Sequence, residues 1–145
     1  MPDAKSPLLV AEHLRPLLFR LERLLRREAT PQGLTGGQAA LLATVTQHPE
    51  YGVSELAALE RVSAPAMTQY IDRLERAGFV RRDRSADDAR RVRLLLTDSG
   101  REALDATRTR RTAWLTERIE ALPPAEQATL AAAVAVLERL IGGDE

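Results

Sequence analysis

Residues 53–97 read VSELAALERVSAPAMTQYIDRLERAGFVRRDRSADDARRVRLLLT, and three local patterns follow one another there without a gap. The first is Ser54–Glu60, which opens on a good helix N-cap residue and places Leu56 and Leu59 within one helical turn. The second begins at Ser63, whose side chain can accept hydrogen bonds from the backbone N–H groups that open the next helix. Two short helices this close in sequence predict a helix-turn-helix.

The second helix of this pair has one apolar and one polar face. Its apolar residues Met67, Ile71 and Leu74 recur at spacings of four and three, which stacks them on one side. Gly78 is predicted to end the helix, because glycine readily takes the left-handed conformation that follows many C-caps. The other side carries Pro65, Gln69, Asp72 and Arg76, flanked by Thr68 and Arg73. A polar, hydrogen-bonding face of this kind suits the major groove of DNA.

A basic β-hairpin, or wing, is predicted directly after the glycine. Phe79–Arg84 and Arg91–Leu96 alternate partly in polarity, contain β-branched or aromatic residues and flank a polar turn. From Arg61 to Arg93 the chain has nine arginines and five acidic residues, a local charge of +4. The whole chain has 21 basic and 21 acidic residues, so its net charge of zero conceals this segment. Because the position of charge decides what a surface attracts, the pattern indicates nucleic acid.

The composition is that of one globular domain over residues 1–145, with 44% hydrophobic and 29% charged residues. The chain has no cysteine, which excludes disulfides, thiol redox sensing and cysteine-ligated zinc. Its apolar runs are too short to cross a bilayer, and its first residues lack the pattern of a secretory signal. We therefore expect no membrane association and a cytoplasmic location.

Two further helices are predicted before the helix-turn-helix. Residues 7–28 carry leucines at the spacing of one helical face, and Pro16 should kink this helix without splitting it. Thr35 and Gln38 have the form of a capping box, which opens a second helix that continues to about Gln47.

Two helices are also predicted after the wing. Thr97 can cap the first, whose middle, from Thr107 to Arg111, is polar and is expected to face water or polar partners. The apolar stripe of that helix is Leu104, Trp114, Leu115, Ile119 and Leu122. Pro123 and Pro124 break the chain, and the last helix ends at Gly142 and Gly143. Its apolar residues are Leu130, Val134, Leu137, Leu140 and Ile141.

Three motifs together resemble the MarR family of winged helix-turn-helix transcriptional regulators. They are DRLERAGFV at 72–80, DARR at 88–91 and LTDSG at 96–100. The resemblance covers nearly the whole chain and implies that the second helix of the pair enters the major groove. It also implies that Arg90, oriented by Asp88, reaches into the minor groove. Arg61 departs from the family, since many members have a turn glycine there; if φ is positive, arginine is strained.

The expected fold is mainly α with a small β-hairpin wing. Residues 34–97 form the winged helix-turn-helix, and residues 7–28 and 98–141 form dimerisation helices, because the terminal leucine stripes exceed what one small core needs. The alternative is that these helices pack only on their own subunit. The resemblance favours a homodimer that reads a palindromic operator, with half-sites about 34 Å apart, and acts as a repressor.

The candidate contacts to DNA lie on the second helix of the pair and on the wing. Gln69 suits a bidentate contact to adenine, Thr68 a phosphate or a thymine methyl group, and the arginines suit phosphates. Asp72 would repel phosphate unless Arg76, one turn later, or a donor on a DNA base compensates it, so we expect Asp72 to be paired. The predicted set is Ser63, Ala64, Pro65, Thr68, Gln69, Arg73, Arg76, Arg84, Asp88, Arg90 and Arg91.

Other kinds of site have weaker support. The resemblance implies an aromatic or hydrophobic effector in a cleft near Phe19, Tyr51 and Trp114, although bare aromatic residues are more often core. The histidines, His13 and His48, have no spacing that supports a metal or an acid–base pair. No nucleotide-binding loop or nucleophile motif is present, so we expect neither a cofactor nor an enzyme. The rival function is a winged-helix module that binds a protein through its leucine faces, which the basic wing disfavours.

Overall fold

The computed structural model describes residues 6–27, 34–84 and 92–142. Over these ranges the chain forms six helices and one two-stranded antiparallel sheet, so the predicted fold class is confirmed. The helices are α1 (Pro7–Arg27), α2 (Gly36–Gln47), α3 (Val53–Leu59), α4 (Ala64–Arg76), α5 (Asp98–Glu120) and α6 (Pro124–Ile141), and the strands are β1 (Val80–Asp83) and β2 (Arg93–Leu96). The chain divides into two compact units, Met1–Arg110 and Arg111–Glu145.

Local capping decides where α2 begins. Pro16 lies inside α1 without splitting it, as expected. At the start of α2 the backbone N–H of Gln38 donates to Thr35 Oγ1 at 3.2 Å, and the backbone N–H of Thr35 donates to Gln38 Oε1 at 2.8 Å. The predicted capping box is therefore confirmed.

The start of α3 differs from the prediction. Ser54 was expected to be the N-cap, but the helix begins at Val53 and its N-cap is Gly52. Gly52 has an extended backbone, and its N–H donates to Glu55 Oε2 at 3.0 Å. The side chain three positions into the helix thus satisfies the backbone in the absence of a capping hydroxyl, which moves the start two residues earlier.

Helix α4 begins and ends as predicted. Ser63 Oγ accepts from the backbone N–H of Ala66 at 3.3 Å. At the other end Gly78 has φ 79°, and its N–H donates to the carbonyl of Glu75 at 3.0 Å. The N–H of Phe79 donates to the carbonyl of Leu74 at 2.9 Å, which completes a Schellman motif.

The wing strands are shorter than predicted. The backbone N–H of Phe79 is used by the end of α4, so β1 begins at Val80. β1 and β2 pair in the register Val80↔Leu96 to Asp83↔Arg93. Gly52 also forms an isolated bridge to Arg93, which joins the start of α3 to the base of the wing.

One hydrophobic core joins α2, α3, α4, the wing and the first half of α5. Its buried residues are Leu34, Ala39, Leu41, Leu42, Val45, Leu56, Ala57, Met67, Ile71, Leu74, Phe79, Val80, Leu94, Ala103 and Leu104. The predicted apolar face of α4 supplies three of them, so its polar face points outward. The position of α4 is therefore set by packing on one side and leaves the other side for a partner.

The first turn of α5 is seated directly on the end of α4. The Thr97 hydroxyl donates to the carbonyl of Gly78 at 2.6 Å and accepts from the N–H of Gly100 at 3.0 Å, which confirms the predicted cap. The backbone N–H of Thr97 donates to the carbonyl of Phe79 at 3.0 Å. A Cβ atom added to Gly100 would lie 2.0 Å from that carbonyl oxygen. Only a residue without a side chain permits this approach.

The middle of α5 is not uniformly exposed. Thr107 was expected to face water or a polar partner, but its residue is 1% exposed. Its hydroxyl donates to the carbonyl of Ala103 at 2.8 Å, so the buried polar group is satisfied within the helix. Arg108 and Arg110 are exposed, as predicted.

Arg61, between α3 and α4, has φ 53°. Left-handed backbone costs an L-residue about 1–2 kcal/mol, and glycine would remove this strain. Glycine also makes the unfolded chain more flexible, which destabilises the fold by about 0.4–1 kcal/mol. The net effect of Arg61→Gly should be a stabilisation of the fold by about 0.5–1 kcal/mol. The melting temperature should rise by about 2–3 °C in a thermal unfolding scan.

Ala58→Gly is the matched control for this substitution. Ala58 is exposed and lies within α3, where glycine costs about 1 kcal/mol relative to alanine. The control should lower the melting temperature while Arg61→Gly raises it. Two shifts of the same sign would contradict the strain at Arg61.

Candidate nucleic-acid interface

The polar face of α4 is exposed at Pro65, Gln69 and Arg76, while Asp72 is half-buried. Of the predicted contact residues, eight lie within the described ranges, and all eight are exposed. They are Ser63, Ala64, Pro65, Thr68, Gln69, Arg73, Arg76 and Arg84. Seven of them lie on α4 or at its N-cap, while Arg84 follows β1. The fold therefore presents a helix face and one side of the wing base to solvent.

Some of these side chains form hydrogen bonds within the protein, and others are available to contact DNA. The Thr68 hydroxyl donates to the carbonyl of Ala64 at 2.9 Å, which fixes its rotamer and leaves its oxygen able to accept. Arg76 Nε donates to the carbonyl of Asp72 at 3.2 Å. Among the described residues, the side chains of Gln69 and Arg73 have no hydrogen-bond partner, so their donors are available to a base edge or a phosphate.

Asp72 is paired, as expected, but its partner within the protein is Arg82 and not Arg76. Its Oδ1 lies 2.6 Å from Nη2 of Arg82, on β1, whereas the hydrogen bond from Arg76 goes to the backbone carbonyl of Asp72. Nη1 of the same Arg82 donates to Glu75 Oε2, and the backbone N–H of Arg82 donates to Glu75 Oε1 at 3.2 Å. One guanidinium thus joins two carboxylates that are one turn apart on α4.

The charges of this cluster reinforce one another. The hydrogen bond to Asp72 and the attraction of Glu75 raise the pKa of Arg82 above its ordinary value, and burial opposes them only in part. The side chain of Arg82 is 23% exposed. The Asp72 carboxylate is therefore paired on the helix that faces outward, which weakens its repulsion toward phosphate, although Glu75 shares the same guanidinium.

Sequence reasoning missed Arg82 because the pairing is not local. An acid on a helix is normally matched with a base three or four residues away, whereas Arg82 lies ten residues after Asp72. The Schellman turn at Gly78 brings β1 back beside α4. Two features of the sequence could have indicated the pairing. The predicted turn at Gly78 returns the chain toward α4, and the alternation along β1 places Arg82 and Arg81 on opposite sides of the strand.

The tip of the wing lies outside the described residues. Asp88, Arg90 and Arg91 belong to it, so their predicted contacts remain predictions. Arg84, exposed immediately after β1, is the last described residue of the wing on that side.

The three residues assigned to an effector have separate surroundings. Phe19 on α1 is 67% exposed. Tyr51 stacks on His48, with ring centroids 4.5 Å apart, and packs against the core. Trp114 belongs to the second compact unit, where the guanidinium of Arg118 lies 3.6 Å from its ring centroid.

A cavity of about 430 Å³ lies elsewhere in the first unit. Its wall includes Arg26 from α1, Gln38 and Leu41 from α2, and Tyr70 and Arg73 from α4. Neither Phe19 nor Tyr51, which belong to the same unit, lines it. The cavity therefore touches the outward-facing helix directly, through residues that the sequence did not single out for a ligand.

Two other kinds of site are absent from the described part of the chain. No group of three or more histidine, aspartate or glutamate side chains is arranged to hold a metal ion there. None of the described helices is long and apolar enough to cross a membrane.

Comparison with known proteins gives consistent matches. A sequence model of the MarR family matches residues 34–92. The HTH-type transcriptional regulator Mb0904 of Mycobacterium bovis is 32% identical over 132 residues, which cover 91% of this chain and 92% of that protein. The HTH-type transcriptional repressor MdtR of Bacillus subtilis is 32% identical over 87 residues, which cover 60% of this chain and 56% of that protein.

A solved structure matches equally well. It is a crystal structure from Pseudomonas aeruginosa described as a transcriptional regulator, with 34% identity and a TM-score of 0.81, and the match covers 95% of this chain and 96% of that one. The family match runs from before α2 to residue 92, just before β2, and so contains the exposed face of α4 and the first strand of the wing. Identity above 30% over nine-tenths of both chains shows that this protein belongs to the MarR family of DNA-binding transcriptional regulators and is not an enzyme.

Proposed function

We propose that the protein is a cytoplasmic, ligand-responsive repressor that binds a palindromic operator as a homodimer. The main support for a homodimer is the exposed apolar surface of α1 and α6. Neither helix has a buried residue in the single chain. A soluble protein rarely leaves such surface in contact with water, so a second copy is the expected cover.

The extent of this surface supports the proposal. The exposed apolar residues of α1 and α6 are Leu8, Val10, Leu17, Leu18, Phe19, Leu21, Leu130, Val134, Val136, Leu140 and Ile141. Ile141 is 72% exposed and Leu140 is 65% exposed. Residues 7–28 and 98–141 therefore act as dimerisation helices, and residues 34–97 act as the reader.

A two-fold dimer implies a palindromic site. Both copies of α4 then enter major grooves about one turn of duplex, or roughly 34 Å, apart. Gln69 reads adenine, while Arg73, Arg76 and Arg84 neutralise phosphates, which the exposure of all four side chains supports. The start of α4 contacts the DNA backbone through Ser63, Ala64, Pro65 and Thr68. The wing acts in the minor groove through Asp88, Arg90 and Arg91.

Repression and response to a ligand rest on separate support. The Bacillus subtilis relative is named a repressor. The cavity beside α4 is about 430 Å³ and contains Arg26 and Arg73, which suits a small aromatic or hydrophobic molecule that bears an acid group. If a ligand bound there weakens DNA binding, DNA must weaken binding of that ligand by the same factor.

The test is selection from a randomised duplex pool with purified full-length protein at near-physiological salt. We expect enrichment of a palindrome with half-sites about one turn, or roughly 10 base pairs, apart. The control is the double variant Gln69→Ala/Arg73→Ala, which removes the two available donors of α4 and should reduce enrichment strongly. Folded, dimeric protein that enriches no sequence would overturn the proposal in favour of a winged-helix protein-interaction module.

A further inference from the structure

We propose that Arg82 is a positioning residue for DNA recognition, which fixes the wing against α4 through Asp72 and Glu75 without itself contacting DNA. The inference rests on the proposed function of the wing. Residues that contact DNA do not explain how the two-stranded wing keeps a defined orientation relative to α4, and the proposed role of Arg82 does.

The geometry of the cluster gives this fixation. Nη2 of Arg82 binds Asp72, Nη1 binds Glu75, and the backbone N–H of Arg82 binds Glu75 a second time. Three bonds therefore connect the middle of β1 to two successive turns of α4. The guanidinium is planar and its donors are rigidly arranged, so bonds to two carboxylates define its orientation as well as its distance.

The same bonds make Arg82 unsuitable as a phosphate contact. Its side chain is 23% exposed, whereas Arg73, Arg76 and Arg84 are exposed. Two acidic groups surround its single positive charge, so the cluster carries a net negative charge. A phosphate would have to displace a carboxylate from the guanidinium in order to bind there.

Substitution of Asp72 provides a test, because its two possible roles predict changes of opposite sign in the affinity for DNA. If it is only an acid on a helix that faces DNA, Asp72→Asn removes repulsion and strengthens binding to the selected duplex. If it holds Arg82 and the wing, the same substitution weakens binding. We expect affinity to fall about fivefold for Asp72→Asn and about tenfold for Arg82→Met, within the range for residues that share a charge network.

Arg81→Met is the matched control. It removes one positive charge from the same strand, and Arg81 is exposed on the opposite side of β1 from Arg82. Its affinity for the selected duplex should change by less than about threefold, since only a general electrostatic attraction is lost. Equal losses for Arg81→Met and Arg82→Met would overturn the positioning role.

A double-mutant cycle separates positioning from contact. When Arg82→Met releases the wing, the loss caused by Arg84→Ala should shrink, because Arg84 is carried by the wing. The loss caused by Gln69→Ala should remain, because Gln69 is carried by α4. Strict additivity of Arg82→Met with both substitutions would assign Arg82 to DNA contact and contradict the inference.

Hydrogen exchange of the DNA-free protein gives an independent readout. In Arg82→Met the backbone amides of Val80–Asp83 should exchange at least about tenfold faster, while the amides of α4 keep their protection. Unchanged exchange in β1 would overturn the inference even if DNA affinity falls. If the unmodified protein selects no duplex, the proposed function fails, and exchange alone then decides whether Arg82 fixes the strand.

Discussion

Gly100→Ala is expected to lower the melting temperature of the protein by about 10 °C or more, the largest effect of any single methyl group considered. The added Cβ would lie 2.0 Å from the carbonyl oxygen of Phe79 and 2.9 Å from its carbonyl carbon. Both atoms are backbone, so no side-chain rotation relieves the overlap. The first turn of α5 must move away from the end of α4, at a cost above about 3 kcal/mol.

Gly37→Ala is the control for this substitution. Gly37 lies in the first turn of α2, and a Cβ atom added there meets nothing within 4 Å. Alanine should therefore stabilise the helix by up to about 1 kcal/mol. Thermal unfolding of the two variants at one protomer concentration compares them fairly, because dimerisation makes the melting temperature depend on concentration. A Gly100→Ala protein as stable as the unmodified one would show that α5 does not rest on Phe79.

Val134→Glu/Ile141→Glu is expected to separate the protomers and to reduce affinity for the selected palindrome by about 100-fold or more, since the second half-site then no longer binds at high effective concentration. The two residues are seven apart, on one side of α6, and are 50% and 72% exposed in the single chain. Burying two carboxylates in an apolar interface is costly, whereas exposing them in a monomer is not.

The matched control, Thr129→Glu/Ala132→Glu, adds the same two charges on the other side of α6, where both residues are exposed. Light scattering coupled to size-exclusion chromatography gives the oligomeric state, and titration of the full palindrome and of one half-site gives the affinities. We expect the control to remain dimeric. A dimeric Val134→Glu/Ile141→Glu protein with full affinity would remove α6 from the proposed interface.

Sequence was informative where a structural feature depends on neighbouring residues. The capping box of Thr35 and Gln38, the left-handed Gly78 and the cap at Thr97 each form within a few positions, so the residue types decide the outcome. The buried face of α4 followed from spacing alone. The same reasoning identified the outward face that carries Gln69 and Arg73.

Sequence failed where tertiary packing decides. Thr107 belongs to a run of polar residues, yet its position on α5 turns it toward the core, and its hydroxyl is satisfied within its own helix. Asp72 is paired across a turn rather than along its helix. Ser54 was a better cap by residue type, but Glu55 satisfied Gly52 instead. For Thr107 and Asp72 a tertiary contact outweighed a local preference, whereas at Ser54 one local contact replaced another.

The bonds between Gly78, Phe79 and Thr97 have a consequence for how the wing can vary in evolution. Thr97 donates hydrogen bonds to the carbonyls of Gly78 and Phe79. The two ends of the hairpin are therefore joined by bonds that lie outside the paired strands. Residues inserted at or deleted from the tip would change only a loop whose ends are already closed, which costs little free energy. A protein built in this way can acquire a longer or shorter wing, and so a different reach along the duplex, while the direction of α4 stays the same.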